Sequence, residues 1–433
     1  VKQLLLTTML VTAMTSAAVF TAEYTNSPQL AHIKLDQAIQ NFGNYGRNIA
    51  IAFVDTGINA NHNEFSGRVL PYHSICVATN NCAAGYIDTN YHGTFVASIA
   101  SGALNGGTGM VGVAPQSAIM AIKIAQPNGG ATTTDENKGL ITAAQRGAHI
   151  LNLSYSSFFG PTASPYYSYY NAALVNAINY VSAVGPTTVL AGGNNGKIFI
   201  DNINVAGFSY AALSRMLFVG SVNSQNQLST FSNTPGSTKF IAPNGVAVPL
   251  NSLWLVAPGE QLMGAYVSGV NNYAYGSGTS FSTPLVSGAL ALLESRWPVL
   301  YRTGGASKLL LYTATDLGAA GIDDVYGAGL LNMNKAFQPF GKVYVPNLKG
   351  QYIDVTQISG SLLASGAFGT LSAIQSRLGA INSYDTFGRD FVVDLSGVIK
   401  TAPTAPMISL PHGKQVVGSS YNFADGGGLS YAQ

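Results

Sequence analysis

Five short apolar runs limit what this chain can become. They are "RNIAIAFVDTG" (47–57), "SAIMAIKIA" (117–125), "HILNLSYS" (149–156), "TTVLAGGN" (187–194) and "MLFVGSV" (216–222). Each is almost uninterrupted by polar residues, as expected of a strand buried on both faces of a parallel sheet. Between several of them lie stretches with helical spacing, "TDENKGLITAAQRG" and "YNAALVNAINYVSAVG". Strands alternating with helices predict an α/β fold with a doubly wound, mostly parallel sheet. Such sheets carry their functional residues at the carboxyl ends of the strands. Asp55 and Asn194 both fall at such ends.

The composition narrows the setting. Only 9% of residues are charged, against about 25% in an average soluble protein. The net charge is +2 with Lys and Arg scattered, so no basic patch supports a nucleic-acid partner. Lys2 precedes the apolar stretch "LLLTTMLVTAMTSAAVF", and small residues stand at 16–18, the anatomy of a secretory signal over residues 1–22. An uncleaved anchor is the competing reading, which the four threonines within the stretch disfavour. Cys76 and Cys82, in "CVATNNC", are expected to close a short loop disulfide in an oxidising compartment, two free thiols being the alternative. Two sulfurs without a nearby histidine do not make a zinc site, and no metal site is expected. Past residue 340 the alternation stops. Residues 341–400 read as short strands, "GQYIDVTQI" and "RDFVVDL", and residues 401–433 as a flexible Pro-, Gly- and Ser-rich tail.

Three short segments carry chemistry-bearing residues. Asp55 ends a strand in "FVDTGI", where the plain alternative is a turn aspartate. His92 opens an apolar helix in "HGTFVASIASG", where it could equally cap the helix or sit half-buried. Ser280 lies in "GSGTSFSTPLVSGALALL", where the same hydroxyls read as a helix start with Thr283 as N-cap and Pro284 as the first helical residue.

Taken together and in this order, these segments resemble the three active-site segments of the subtilisin-like serine proteases (peptidase S8), whose order is Asp, His, Ser. "VLAGGNNG" resembles the segment that supplies the family's oxyanion asparagine, which assigns that role to Asn194. "GINANHNEFSGRV" (57–69) and "GMVGVAP" (109–115) match further stretches of the family. The resemblance covers residues 27–340 and implies a subtilisin-type fold with a polypeptide substrate. It implies that His92 removes the proton of Ser280, that Asp55 holds the imidazole in the right tautomer, and that Asn194 and the Ser280 backbone N–H receive the oxyanion. The peptide-binding segments map onto Ser154, Tyr155 and Ser156 and onto Ala191, Gly192 and Gly193. None of these is charged, which implies an apolar or broad preference before the cleaved bond.

Departures matter as well. Phe95 stands where the family often has a second histidine, and Phe281 and Ser282 where it often has Met-Ala. Gly106 stands where a calcium-binding asparagine is common, which argues against that calcium site; no cofactor is expected. Too few residues separate the signal from the protease domain for the usual folding propeptide. That resembles autotransporter-type passenger proteases of Gram-negative bacteria, as does "INSYDTFGRDFVVDLS" (381–396). That resemblance implies export through the periplasm to the cell surface or medium, the chain being a truncated passenger whose partner, an outer-membrane transporter barrel, is not present in this chain, a fragment, or a free secreted protease. A secreted serine endopeptidase is the leading reading. A catalytically idle surface adhesin on the same fold is the alternative, and the intact set of Asp55, His92, Asn194 and Ser280 argues against it. An α/β-hydrolase esterase would need Gly-x-Ser-x-Gly and a different residue order.

Overall fold

The computed structural model of the chain describes residues 22–36, 45–104, 109–126, 128–155, 172–198, 204–347, 349–358, 376, 378–396, 418–422 and 428–432. The expected leader (all but its last residue), Gly106, Ser156 and residues 401–417 of the tail lie outside the described residues. Two compact units are present, one of residues 1–355 with 382–392 and one of 356–381 with 393–433.

The first unit is built on a seven-stranded sheet. Its strands are β1 (Ala50–Asp55), β2 (Ile75–Cys76), β3 (Ala118–Lys123), β4 (Ile150–Leu153), β5 (Thr187–Ala191), β6 (Met216–Val222) and β7 (Trp254–Pro258). Their order is β7-β6-β5-β4-β1-β3-β2, and every neighbouring pair is parallel. All five apolar runs form strands. The reversal of strand order beside β1 places Asp55 at a switch point, where such sheets open a crevice.

Alternation along the strands divides the core into two layers. Ile51 and Phe53 face one layer with Ile119, Val189, Leu217 and Leu255, packed by helices α1 (His92–Ser101) and α4 (Thr279–Arg296). Ala52 and Val54 face the other with Met120, Leu190 and Phe218, packed by α2 (Thr133–Gln145) and α3 (Ala172–Val184). Each fully buried large apolar side chain contributes about 1.5–3 kcal/mol. Helix α4 is buried almost all round from Thr279 to Glu294, with Ser280 its partly exposed exception. A helix apolar on every side belongs at the centre of a core, and α4 thereby carries Ser280 as a rigid element.

Cys76 and Cys82 are joined, with an S–S distance of 2.06 Å. Beyond residue 340, Tyr344–Pro346, Tyr352–Asp354, Ile381–Tyr384 and Asp390–Val393 form a small four-stranded sheet. Arg389 and Asp385 make an ion pair at 2.6 Å with both side chains fully buried. Arg389 also donates to the carbonyls of Ala336 (2.5 Å) and Gln338 (2.7 Å) and lies 4.7 Å from the Trp297 ring centroid. In the second unit, within the stretch expected as a flexible tail, Gly418–Asn422 and Gly428–Ala432 pair as an antiparallel hairpin.

Candidate active site

Asp55 is the last residue of β1 and is fully buried. His92 is the first residue of α1, and its Nδ1 lies 2.9 Å and 3.1 Å from the two Asp55 carboxylate oxygens. Asp55 also accepts from the Thr56 backbone N–H at 2.7 Å. The close seating of α1 on the β1 turn requires Gly93, since a Cβ there would stand 2.2 Å from the Gly57 carbonyl oxygen. Tyr91, just before His92, has φ 144° and ψ −27°, a conformation that costs a bulky residue on the order of 1–3 kcal/mol. Burial opposes a charge on His92, but the charge and hydrogen bond of Asp55, with Asp88 adding, prevail and raise its pKa above the usual value.

Two aromatic rings flank the imidazole, Phe281 at 5.8 Å and Tyr155 at 6.3 Å between centroids. Phe95 and Phe281 are themselves packed at 4.4 Å. Two of the departures from the common family pattern are thus one contact, which meets His92 through the Phe281 ring.

Helix α4 begins at Thr279, five residues before the start that the Thr283–Pro284 reading predicts, and Pro284 lies inside it. An internal proline has no N–H for the carbonyl four residues back, here that of Ser280. The Ser154 hydroxyl supplies the missing donor at 2.9 Å, while the Ser280 hydroxyl donates to the Ser154 carbonyl at 3.1 Å. This reciprocal pair ties the end of β4 to the first turn of α4, at the positive end of the helix dipole.

Asn194 follows β5 on an exposed loop. Its side-chain oxygen accepts from the Thr279 N–H at 2.8 Å and the Thr279 hydroxyl at 2.9 Å, and that hydroxyl accepts from Gly193 N–H at 3.1 Å. With the oxygen so held by Thr279, the Nδ2 end of the amide stands 3.4 Å from where a Gly278 Cβ would be. Ala191, Gly192 and Gly193 are buried, and their backbone is used by the scaffold. Gly192 N–H donates to Val219 and its carbonyl accepts from Asn233, and a Cβ on Gly192 would meet the Trp254 ring at 2.5 Å. Tyr155 reaches across to donate its hydroxyl to the Gly129 carbonyl, and burial raises its pKa.

A family model described as "Peptidase_S8: Subtilase family" matches residues 46–329. The chain is a subtilase. It is 31% identical over 306 residues to subtilisin DY of Bacillus licheniformis, covering 71% of this chain and 96% of that protein. It is 30% identical to thermitase of Thermoactinomyces vulgaris, covering 68% and 90%. To a thermophilic serine proteinase of Bacillus sp. (strain AK1) it is 33% identical over 254 residues, spanning 53% of that longer protein. Among solved structures it is similar to a cold adapted subtilisin-like serine proteinase, with TM-score 0.51, 26% identity, and coverage of 68% of this chain and 92% of that one. Its enzyme class is accordingly that of a subtilisin-like serine endopeptidase.

The subtilase frame also contains polar residues that motif reading did not single out. Thr279 fixes the Asn194 amide, and Thr56 and Asp88 hold the chain on both sides of His92. Thr279 was available as the residue before the serine in "GTS". Asp88 and Thr56 carry no local signal that separates them from ordinary turn chemistry. Among the described residues no group of three or more His, Cys, Asp or Glu side chains could hold a metal ion.

Proposed function

We propose that this subtilase is a catalytically active, secreted endopeptidase whose nucleophile is Ser280, base His92, orienting acid Asp55 and oxyanion donors Asn194 and the Ser280 N–H. The observation that carries the reading is the His92 imidazole held on both oxygens of a buried Asp55 at the carboxyl end of β1. In the free protein the Ser280 hydroxyl is bonded to Ser154. A substrate strand entering the cleft competes for that carbonyl, and the hydroxyl turns to His92. His92 takes the proton as Oγ bonds to the scissile carbonyl carbon, Asp55 stabilises the imidazolium, and the oxyanion is met by Asn194 Nδ2–H and the Ser280 N–H. Collapse expels the amine, which takes the proton from His92, and water releases the acyl group by the same route. The chemistry calls on no cofactor.

Ser154, Tyr155 and Ser156 with Ala191, Gly192 and Gly193 form the proposed walls for the residue before the cleaved bond. They bring no charge, so an apolar or broad preference is expected. Secretion through the leader at 1–22, by the periplasmic route of a Gram-negative cell, with an outer-membrane transporter barrel not present in this chain as a partner, completes the proposal. No described helix is long and apolar enough to cross a membrane, and a 30%-identical relative is the minor extracellular protease Epr of Bacillus subtilis.

Labelling with a fluorophosphonate probe tests the reading. Wild-type protein is expected to label and to cleave a peptide library, and Ser280→Ala to do neither, with a fall in turnover of about 10⁶. Silence from folded wild-type protein would transfer the chain to the idle, adhesive reading.

A further inference from the structure

The structure assigns to Asp88 the positioning of His92: a buried carboxylate that gathers both flanks of the histidine against the end of β1 and places a second negative charge behind it. The assignment rests on the proposed role of His92 and extends it to a residue outside the triad.

Asp88 is only 6% exposed. One oxygen accepts from the Thr56 hydroxyl (2.9 Å), Asn90 N–H (2.9 Å) and Tyr91 N–H (3.1 Å). The other accepts from Thr94 N–H (3.0 Å) and the Thr94 hydroxyl (2.6 Å). Those partners are the residue after Asp55, the two residues before His92 and the residue two after it. The Thr56 hydroxyl in turn accepts from Gly93 N–H at 2.8 Å. Both members of the Asp55–His92 pair are therefore referenced to one carboxylate, although His92 is not among its donors.

Helix α1 explains the need. Its N-cap residue, Tyr91, makes no side-chain cap and holds a left-handed backbone angle. The donors of the first turn need acceptors, and Asp88 with Thr56 provides them from outside the usual cap position. An acid at a helix N-terminus is favoured by the helix dipole as well. The two bonds to Asn90 and Tyr91 hold the strained turn that presents His92.

The groups facing this pair come from several elements. Asp55 lies on β1. Lys123 ends β3, opposite Asp55 in register, and is buried with its Nζ donating to the Ile87 carbonyl (2.8 Å) and the Thr89 hydroxyl (3.1 Å). Those acceptors flank Asp88, so the lysine bonds beside the carboxylate and acts on it through charge alone. Tyr155 follows β4, and its ring rests on His92. Asp88 works with Asp55, against burial, to keep the proton on His92.

The test is Asp88→Asn in the full chain, read in two ways. The first is the NMR titration of His92, which needs no catalysis; its apparent pKa is expected to fall by about half a unit or more. The second is the pH profile of kcat/KM. Its acid limb is expected to move the same way, because a base becomes active as it loses its proton, while kcat drops about 10- to 100-fold from misplacement. In Asp88→Asn, unchanged values overturn the proposal, and so does a loss of kcat with the His92 titration unmoved, since removing the carboxylate's charge must reach His92 if Asp88 stands behind it. Thr56→Val keeps the carboxylate and cuts its link to Gly93. It is expected to lower kcat with little change in the titration, and a full kcat there would also overturn the assignment; it carries the test should Asp88→Asn not fold. Wild-type protein that fails to label with the fluorophosphonate, yet shows the Asp88-dependent titration, would refute the catalytic reading and leave the positioning role standing.

Discussion

The two ends of the central sheet treat buried acids in opposite ways. At the carboxyl ends, Asp88 is met by five donors and Asp55 by His92 and the Thr56 N–H. Toward the amino ends lies Glu294, in the last turn of the helix whose first turn carries Ser280. Glu294 is 1% exposed, and neither of its oxygens has a hydrogen-bond partner among the described residues. Arg215, just before β6, acts on it by charge, but its own N–H groups are bonded to the carbonyls of Gly185 and Arg302. Burial consequently pushes Glu294 up to about 8. A carboxylate needs donors arranged in advance to keep its charge out of water. The chain supplies them around the proposed catalytic histidine, and leaves Glu294 without them at the other end of the sheet.

Full partnership alone does not mark a functional site, and the Asp385–Arg389 pair is the case that breaks so simple a rule. Both side chains are fully buried and richly bonded, yet they join segments of the scaffold. Arg389→Met leaves Asp385 buried without its partner and is expected to cost about 3–5 kcal/mol, read from denaturant midpoints. Turnover per folded molecule should not change. Pairing it with Asp385→Leu should recover most of the loss, because an apolar pair avoids desolvating two charges. A loss of turnover in folded Arg389→Met would place this cluster on the functional side.

Asn194→Ala is the converse experiment. Turnover is expected to fall about 10²- to 10³-fold, the size of effect seen when a subtilisin loses this donor. Stability should fall by only about 1 kcal/mol, from the Thr279 donors left bare. Equal losses in both measurements would make Asn194 a structural residue of the loop.

Much of this organisation is legible in the sequence, and the illegible parts share a cause. The five strands of the apolar runs are readable because a strand buried on both faces has no polar alternative. β2 has two residues, and β7, "WLVAP", ends in a proline; neither leaves a pattern longer than chance. The start of α4 misleads a local reading, because Pro284 normally opens helices. Here the carbonyl it orphans is satisfied by Ser154, far away in sequence. Asp88 is four residues before His92 in "DTNYH", where an aspartate reads as turn chemistry until β1 brings Thr56 alongside. Contacts made through the fold, between residues with no shared motif, are what sequence spacing does not encode. Ser156 lies outside the described residues and adds nothing to either account.

The pH dependence of Glu294 sharpens the comparison most, because it is read continuously and not from one variant. Glu294 binds its proton more tightly in the folded chain, with a pKa of about 8 against an ordinary 4.5. Between those values the folded state holds the extra proton, so stability must fall as pH rises from about 4.5 to 8 and level off above. The whole drop is on the order of a few kcal/mol. Urea midpoints across pH 5–9 should show it, after subtracting the same series for Glu294→Gln. That variant cannot ionise: it should match wild type near pH 5 and exceed it near pH 9, with turnover unaltered at both. Parallel curves for the two proteins would mean that Glu294 is ionised in the folded chain, and the contrast between the two ends of the sheet would fail.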